Sequence, residues 1–373
     1  MNDITEQNAS ITVTRRTDLS VLYKVLRRVI RPFRPRLVSS HKRYPAGSPR
    51  LHDHPRRLDR IGIQERKAEV LRGVCAGFSA GQETDHDVLW LYDFQAPSED
   101  PTGSPRDSKK QIHAIYYFAG GGFQSPASSE HWRFCAHLAS SLAPSRGRLT
   151  LVSYPLAPAT PARDALPILR RWLAQELEWC VAAGDEEAEE AGDGRIISLA
   201  GDSAGANVAL SLGLWCAGQL ECAKAAGDQG QVRSFARLRS ILAISPPTDM
   251  RNQNPAIALA EAGDPVLTKA LTADAARAWS KGSGTNDPYL SVNLADLGNV
   301  KASGLRLNGV VGTADVLAPD SLVFLDRCKD ARIQGSWLVW DGQMHCFPLA
   351  ACYGLQEGRE ARAWVVNILR EVT

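Results

Sequence analysis

A serine flanked by glycines is the first feature of the sequence that could do chemistry. Residues 201–205 read G-D-S-A-G, with Ser203 at the centre. The apolar run at residues 196–200 predicts a short buried strand, and the run at residues 204–214 predicts a helix. A serine in the sharp turn between a strand and a helix presents its hydroxyl above the sheet. The alternative is that Ser203 only caps the helix.

One histidine is available as the base for this serine. A serine hydroxyl is a weak nucleophile at neutral pH and needs an adjacent base. In serine hydrolases with such a turn, the chain order is serine, acid, histidine. His345 is the only histidine after His137, and it follows a predicted strand at residues 337–340. We expect His345 to accept the proton of Ser203; the alternative is a surface histidine.

An aspartate behind the preceding strand completes this set. Asp315 follows Gly312 in the loop after a predicted strand at residues 305–311. It lies closer to the strand end than its competitors, which are Asp320, Asp326 and Asp341. An acid at this place fixes the tautomer of the histidine and stabilises its protonated form. The alternative is a turn residue that bonds to its own backbone.

Three consecutive glycines could supply the donors for a negatively charged intermediate. Gly120, Gly121 and Gly122 follow a very apolar predicted strand at residues 112–118. A backbone without Cβ atoms can approach a substrate closely. Together with the N–H of Ala204, the N–H groups of this run could bind the oxyanion of a tetrahedral intermediate. The alternative is a flexible turn.

The order of the predicted elements favours an α/β fold with a mainly parallel sheet and helices on both faces. Predicted strands occupy residues 88–94, 112–118, 149–153, 196–200, 238–244, 305–311 and 337–340, and predicted helices occupy residues 129–142, 167–182, 204–214 and 357–371. Residues 250–290 show no strand pattern and are interpreted as an insertion, while residues 1–18 are expected to be loosely ordered and residues 39–60 irregular. We therefore divide the chain into an N-terminal extension with cap helices at 1–85 and a core at 86–373, with 250–290 as a cap insertion.

Composition excludes several classes of function. The chain has 373 residues and a net charge of +2, which argues against nucleic acid as a partner. Its eight cysteines are scattered and include no C-x-x-C pair, which favours reduced thiols and a cytoplasmic location. The first ten residues lack the apolar stretch of a secretory signal. We expect no cofactor and no metal, and the sequence predicts no oligomeric state.

A basic amphipathic helix is predicted within residues 19–36. Apolar residues recur at helical spacing, and lysine and arginine lie between them. One interpretation is a membrane-surface anchor. The favoured interpretation is a helix that covers a pocket or a neighbouring surface, with its basic face in water.

Six segments, in order, carry a family resemblance. They are Y-F-A-G-G-G-F at 117–123, Y-P-L-A-P at 154–158, G-D-S-A-G-A-N at 201–207, S-P-P-T-D-M at 245–250, D-P-Y-L-S with A-D-L at 287–291 and 295–297, and G-T-A-D-V-L at 312–317. These segments resemble those of the hormone-sensitive-lipase-like α/β-hydrolases, and the resemblance spans residues 88–373. Three positions depart from the family pattern: Ala119 stands in place of a histidine, Pro155 in place of an arginine and Ala159 in place of a glutamate. The divergent glycine loop and cap resemble those of fungal members that act on natural products.

The resemblance implies an eight-stranded α/β-hydrolase core and cleavage of a carboxylic ester through an acyl-serine. It also implies that Gly121, Gly122 and Ala204 supply the oxyanion N–H groups. The expected partner is a small-molecule ester or acyl substrate with small or medium hydrophobic groups. One alternative uses the same triad for acyl transfer, cyclisation or elimination on a natural-product intermediate. Another is a non-catalytic ligand-binding protein on a hydrolase scaffold.

Overall fold

Eleven strands of the described residues form one sheet. The computed structural model describes residues 4–7, 10–34, 43–71, 86–96, 112–182 and 195–372. The strands are β1 (Ile4–Gln7), β2 (Ile11–Arg16), β3 (Arg57–Leu58), β4 (Ile61–Leu71), β5 (His86–Gln95), β6 (His113–Phe118), β7 (Gly147–Ser153), β8 (Ile196–Asp202), β9 (Leu238–Ile244), β10 (Arg306–Gly312) and β11 (Gly335–Trp340). Their order across the sheet is β1-β2-β11-β10-β9-β8-β6-β7-β5-β4-β3.

Ten α-helices of the described residues surround this sheet. They are α1 (Val21–Ile30), α2 (Ser129–Leu142), α3 (Ala162–Ala182), α4 (Ser203–Ala226), α5 (Gln229–Phe235), α6 (Ile257–Gly263), α7 (Lys269–Trp279), α8 (Gly298–Ser303), α9 (Ala318–Asp330) and α10 (Gln356–Arg370). Short 3₁₀ helices occur at Arg31–Phe33, Ala143–Ser145, Val292–Leu294 and Phe347–Tyr353. None of the helices in the described ranges combines the length and the apolar character that crossing a membrane requires.

The middle of the sheet is parallel, from β2 through β11, β10, β9, β8 and β6 to β7. Antiparallel strands extend both sides, since β1 pairs with β2 and β5 pairs with β7 and β4. Parallel strands are buried on both faces and therefore consist of near-continuous apolar runs. This explains why the central strands were the readily predicted ones.

The side chains of β6 show that the sheet separates two hydrophobic layers. Tyr116 and Phe118 point into the layer that contains Trp172 of α3 and many residues of α4. Ile115 and Tyr117 point into the opposite layer, with Phe134 of α2 and residues of α10. Successive side chains of a strand alternate between the faces of a sheet. The predicted fold class, a mainly parallel sheet with helices on both faces, is confirmed.

The expectation for the N-terminal region is wrong in two places. Residues 4–7 and 11–16 are strands, although residues 1–18 were expected to be loosely ordered, and β2 pairs along β11 from Ile11–Gly335 to Arg16–Trp340. β4 is a long strand that the sequence analysis missed, and β3 lies within the residues expected to be irregular. β2 and β4 are half-polar strands near the sheet edges, where a short alternating pattern is a weak signal. The division at residues 85 and 86 stays a prediction, but the sheet is continuous across it because β4 pairs with β5.

Two helices differ from their predicted bounds. α3 begins at Ala162 rather than at Pro167, and the proline lies inside the helix. A proline there has no N–H to donate to the carbonyl of residue 163, and that residue is exposed. α4 continues past residue 214 to Ala226 and ends at Gly227, whose φ of +71° suits a left-handed helix cap. The insertion at 250–290 contains α6 and α7 and no strand, as predicted.

Candidate active site

Ser203 lies in a strained turn between β8 and α4. Its φ is +49°, a left-handed conformation that is uncommon for residues other than glycine. The flanking glycines allow this turn to sit against β6. A Cβ on Gly205 would lie 2.0 Å from the carbonyl oxygen of Phe118, and a Cβ on Gly201 would lie 2.6 Å from the backbone of Gly205. Strain of this kind persists only where the surrounding structure enforces it.

His345 and Asp315 form a buried hydrogen-bonded pair. The Nδ1 atom of His345 lies 2.8 Å from Oδ2 of Asp315, and the two side chains are 8% and 1% exposed. The other carboxylate oxygen of Asp315 accepts a hydrogen bond of 2.9 Å from the backbone N–H of Leu317. The pairing makes Nδ1 the donor, which leaves Nε2 of the imidazole available to accept a proton.

The charge of Asp315 controls the protonation of His345. Burial lowers the pKa of His345, but the adjacent Asp315 charge and the hydrogen bonds to the imidazole outweigh burial and raise the pKa well above 6.5. This shift stabilises the imidazolium that would form during proton transfer.

One cavity of about 560 Å³ connects these groups. Ser203, Ala204, His345 and the glycine run at 120–122 all line it. Within the described residues no hydrogen bond joins Ser203 to His345; the Nε2 atom of His345 lies 3.3 Å from the thiol sulfur of Cys346 instead. Such serine–histidine contacts often shorten only when substrate is bound.

Cys346 is an additional polar group in this cavity. It has a φ of +49° and donates a weak hydrogen bond, 3.6 Å long, to Asp202. Burial raises the pKa of its thiol to about 12. The side chain is therefore a neutral thiol rather than a nucleophile.

The glycine run has the backbone of an anion-binding loop. Gly121 and Gly122 have φ values of +136° and +59°, and a Cβ on Gly121 would lie 2.4 Å from the carbonyl oxygen of Ser125. The carbonyl of Gly121 accepts hydrogen bonds from the N–H groups of Gln124 and Ser125, both 3.0 Å long. In the described part of the chain, no protein acceptor takes the N–H groups of Gly121 and Gly122. The N–H of Ala204, at the start of α4, also lacks an intrahelical acceptor.

Asp202 ties the glycine run to the turn that carries Ser203. One carboxylate oxygen accepts hydrogen bonds from the N–H of Gly120, at 3.1 Å, and from the hydroxyl of Tyr117, at 2.7 Å. The other oxygen lies 3.1 Å from Nε2 of His131. Asp202 is 2% exposed, and although burial raises its pKa, the contacts with His131, Tyr117 and Gly120 outweigh burial and lower it.

The tautomer of His131 follows from its second contact. The backbone N–H of Ser128 donates a 2.9 Å hydrogen bond to Nδ1 of His131, so Nδ1 is an acceptor. Nε2 must then carry the proton that it donates to Asp202. Sequence reasoning missed His131, because a histidine near the start of a predicted helix carries no signal until the fold brings it to residue 202.

A second carboxylate lies behind Asp315. Asp264 is fully buried and accepts hydrogen bonds from the N–H groups of Val266, Leu267 and Val316, at 2.7 to 2.9 Å. Burial and the neighbouring charge of Asp315 raise its pKa to about 6. Asp264 thus joins the insertion at 250–290 to the loop that carries Asp315, and no sequence pattern marked it.

Mostly apolar side chains complete the cavity. The insertion contributes Met250, Leu267, Leu271 and Ala275, and other apolar residues come from elsewhere in the chain, namely Phe123, Leu317, Met344, Leu349 and Ala350. No residue of α1 is among the described lining residues. The insertion therefore shapes the cavity directly, while α1 contacts the loop at residues 342–344, which carries the lining residue Met344.

Comparisons with known proteins agree with this geometry. A family model described as the alpha/beta hydrolase fold matches residues 115–349. An esterase/lipase structure from an uncultured bacterium is 20% identical, with a TM-score of 0.60, and covers 95% of this chain and 99% of its own. An esterase structure from the bacterial hormone-sensitive lipase family is 22% identical, with a TM-score of 0.58, and covers 83% and 84%. A hyperthermophilic esterase from the archaeon Pyrobaculum calidifontis is 19% identical, with a TM-score of 0.58, and covers 93% of both chains.

No curated protein matches the chain in sequence. The solved structures share its architecture along most of their length, and one of them comes from the bacterial branch of the family that the six motifs predicted. The α/β-hydrolase fold that the resemblance implied is confirmed, while the likeness to fungal members stays a prediction. Among the described residues the sheet contains three more strands than the eight implied. Because the family model spans more than half of the 373 residues, the chain belongs to the family of proteins with the alpha/beta hydrolase fold.

Proposed function

We propose that the protein hydrolyses carboxylic esters through an acyl-serine intermediate. Ser203 is the nucleophile, His345 the general base and acid, and Asp315 the carboxylate that orients the imidazole. The N–H groups of Gly121, Gly122 and Ala204 form the oxyanion hole. The observation that carries this proposal is the single cavity that Ser203, His345 and the glycine run share, with Asp315 bonded to His345 behind it.

The acylation step follows from the placement of these groups. Nε2 of His345 accepts the proton of Ser203 as the serine oxygen bonds to the ester carbon. The carbonyl oxygen becomes an oxyanion, which the three N–H groups stabilise. The imidazolium then gives its proton to the alkoxide oxygen as the C–O bond breaks, and the alcohol leaves.

Deacylation repeats the sequence with water. His345 accepts a proton from a water molecule while the oxygen of that water attacks the carbonyl carbon of the acyl-serine. His345 then returns a proton to the oxygen of Ser203. The products are the carboxylic acid and the free enzyme. Each donor of an oxyanion hole is typically worth ~10²–10³ in rate.

The cavity supports a substrate with small or medium hydrophobic groups. Its volume of about 560 Å³ and its apolar lining are those of a site for small molecules. The side chains at its wall that come from the insertion, Leu267, Leu271 and Ala275, would set the length of acyl chain that fits.

The experiment is hydrolysis of a short-chain aryl ester by wild-type protein, Ser203→Ala and Ser125→Ala. Ser125 lines the same cavity, which makes its variant a matched control. We expect Ser203→Ala to lose activity by at least ~10³-fold and Ser125→Ala to keep it. Labelling by a fluorophosphonate should occur at Ser203 only. Wild-type turnover in Ser203→Ala would refute the mechanism.

Product analysis separates the alternatives that use the same triad. Acyl transfer to a bound amine or alcohol would give a new ester or amide, and elimination or cyclisation would give a product without added water. Acid and alcohol in equal amounts support hydrolysis. Failure of the fluorophosphonate to label Ser203 would support a binding protein without catalysis.

A further inference from the structure

Helix α1 is fixed to the core by one face. The hydroxyl of Tyr23, a residue that is 1% exposed, accepts a 2.6 Å hydrogen bond from the N–H of Met344. Arg27 donates a 2.8 Å hydrogen bond to the carbonyl of Gly342. The N–H of Ser20, the helix cap, donates to the carboxylate of Glu357 at 2.7 Å. These contacts hold α1 against the loop that carries His345.

The opposite face of α1 and the turn after it exposes large apolar side chains. Their exposed fractions are 77% for Val21, 65% for Leu22, 51% for Val25, 55% for Val29 and 51% for Phe33. These five residues are more than half of the nine large hydrophobic side chains that are exposed in the described part of the chain. At 100° per residue, positions 21, 22, 25 and 29 fall within about 100° of one another, so they form a continuous stripe. The helix contacts the core through Tyr23 and keeps Lys24 and Arg28 in water, but this stripe covers no neighbouring surface among the described residues.

Basic side chains border this stripe. Lys24 and Arg28 are exposed and lie within about 60° of Val21 around the helix axis, and Arg31, also exposed, follows in the turn after the helix. Residues 21–34 contain five lysine or arginine residues and no aspartate or glutamate. A surface that is apolar at its centre and positive along its border is complementary to one that is apolar inside and negative outside, such as the surface of an anionic lipid bilayer.

We propose that the outer face of residues 21–33, termed the α1 surface, binds anionic lipid bilayers. Val21, Leu22, Val25, Val29 and Phe33 enter the boundary between headgroups and acyl chains. Lys24, Arg28 and Arg31 contact the phosphates and carboxylates of the headgroups. Because Tyr23 and Arg27 bond the same helix to residues 342 and 344, the bound helix holds the loop of His345 next to the lipid surface. This binding site is separate from the ester chemistry proposed above.

The test is sedimentation of the full-length protein with vesicles. One set consists of phosphatidylcholine, and the other of phosphatidylcholine mixed with phosphatidylserine. We expect binding to the anionic vesicles, weaker binding to the neutral ones, and loss of binding at high salt. Each lysine or arginine near an anionic surface contributes ~1 kcal/mol, so Lys24→Gln/Arg28→Gln/Arg31→Gln should weaken binding on the order of 10²-fold. Leu22→Ser/Val25→Ser/Val29→Ser should weaken binding to both kinds of vesicle by roughly tenfold or more.

Matched controls test whether position matters. Val323→Ser changes a valine of α9 that is 45% exposed, and Arg233→Gln/Arg239→Gln removes two exposed arginines from another face. Both should bind vesicles like the wild type. Hydrolysis of a water-soluble ester by all variants would show that they are folded. If neither the wild type nor the variants hydrolyse the ester, that result counts against the proposed function and not against lipid binding. The lipid proposal is overturned if the wild type ignores anionic vesicles, if both triple variants still bind them, or if the α1 surface instead joins two copies of the protein in solution.

Discussion

His131 allows a substitution that separates a catalytic effect from a structural one. Its Nε2 donates to Asp202 at 3.1 Å, and its Nδ1 accepts from the N–H of Ser128 at 2.9 Å. Asparagine places its side-chain polar atoms near the position of Nδ1, so His131→Asn keeps an acceptor for Ser128 and loses the donor to Asp202. Glutamine reaches the position of Nε2, so His131→Gln keeps the donor and loses the acceptor.

The expected magnitudes follow from the two hydrogen bonds. A hydrogen bond to a charged group contributes ~1.5–3 kcal/mol, and Asp202 uses its other oxygen to hold the N–H of Gly120. If the loss of this free energy displaces the glycine run at 120–122, His131→Asn should lower kcat by roughly 10–100-fold with little change in KM. His131→Gln should keep kcat within a few-fold of the wild type, because the donor to Asp202 is retained. It should lose about 1 kcal/mol of unfolding free energy, because the cap of α2 is weakened.

The assay combines steady-state hydrolysis of an aryl ester, inhibition by a trifluoromethyl ketone, and thermal unfolding. In the proposed mechanism the ketone forms an oxyanion at Ser203, so its affinity should fall in parallel with kcat in His131→Asn. Equal kcat losses in both variants would indicate that His131 acts only through the stability of α2. A wild-type kcat and wild-type ketone affinity in His131→Asn would refute the argument that His131 acts through Asp202 on the glycine run at 120–122.

Three further substitutions and one control test the rest of the site. Asp315→Asn should lower kcat by ~10⁴-fold. Because only neutral His345 accepts a proton, the activity of the wild type should fall as the pH drops through a midpoint above 6.5. Loss of the Asp315 charge should move this midpoint to lower pH, which a pH–rate profile measures. Gly205→Ala should destabilise the protein by at least about 2 kcal/mol in denaturant unfolding, because its Cβ would collide with the Phe118 carbonyl. Gly218→Ala in the same helix, whose Cβ would meet only an atom at 3.7 Å, should instead stabilise it by about 0.5–1 kcal/mol, and equal losses in both would contradict the steric argument. Asp264→Asn should lose ~1–3 kcal/mol of unfolding free energy, because one amide oxygen cannot replace two carboxylate oxygens that accept three N–H groups; unchanged thermal unfolding would contradict this.

The sequence predicted what depends on local pattern. β9 begins and ends at the predicted residues, as does α2, because an uninterrupted apolar run and a regular helical period are strong local signals. The turn around Ser203 was also predictable, since only glycine permits the close approach to Phe118. The same holds for the order of the loops that carry Ser203, Asp315 and His345.

Contacts between distant residues were not predictable. β2 is a strand because β11 offers it a partner, and its own six residues carry only a weak alternation. His131 and Asp264 became part of the site only when the chain brought them to Asp202 and Asp315. The exposure of the stripe on α1 was not predictable, because the helical period reveals that a face is apolar, but not which face turns to the core.

The pairing of β2 with β11 has a consequence for the order of folding. These strands are far apart in the sequence, and β2 is hydrogen-bonded along β11 from Gly335 to Trp340. A ribosome releases β2 long before β11, so the paired strands β1 and β2 must wait without their neighbour in the sheet while the central strands assemble. Until it docks, the edge of β11 has open hydrogen-bonding groups that another chain could pair with. Removal of the first sixteen residues should therefore turn a protected sheet edge into a site of self-association.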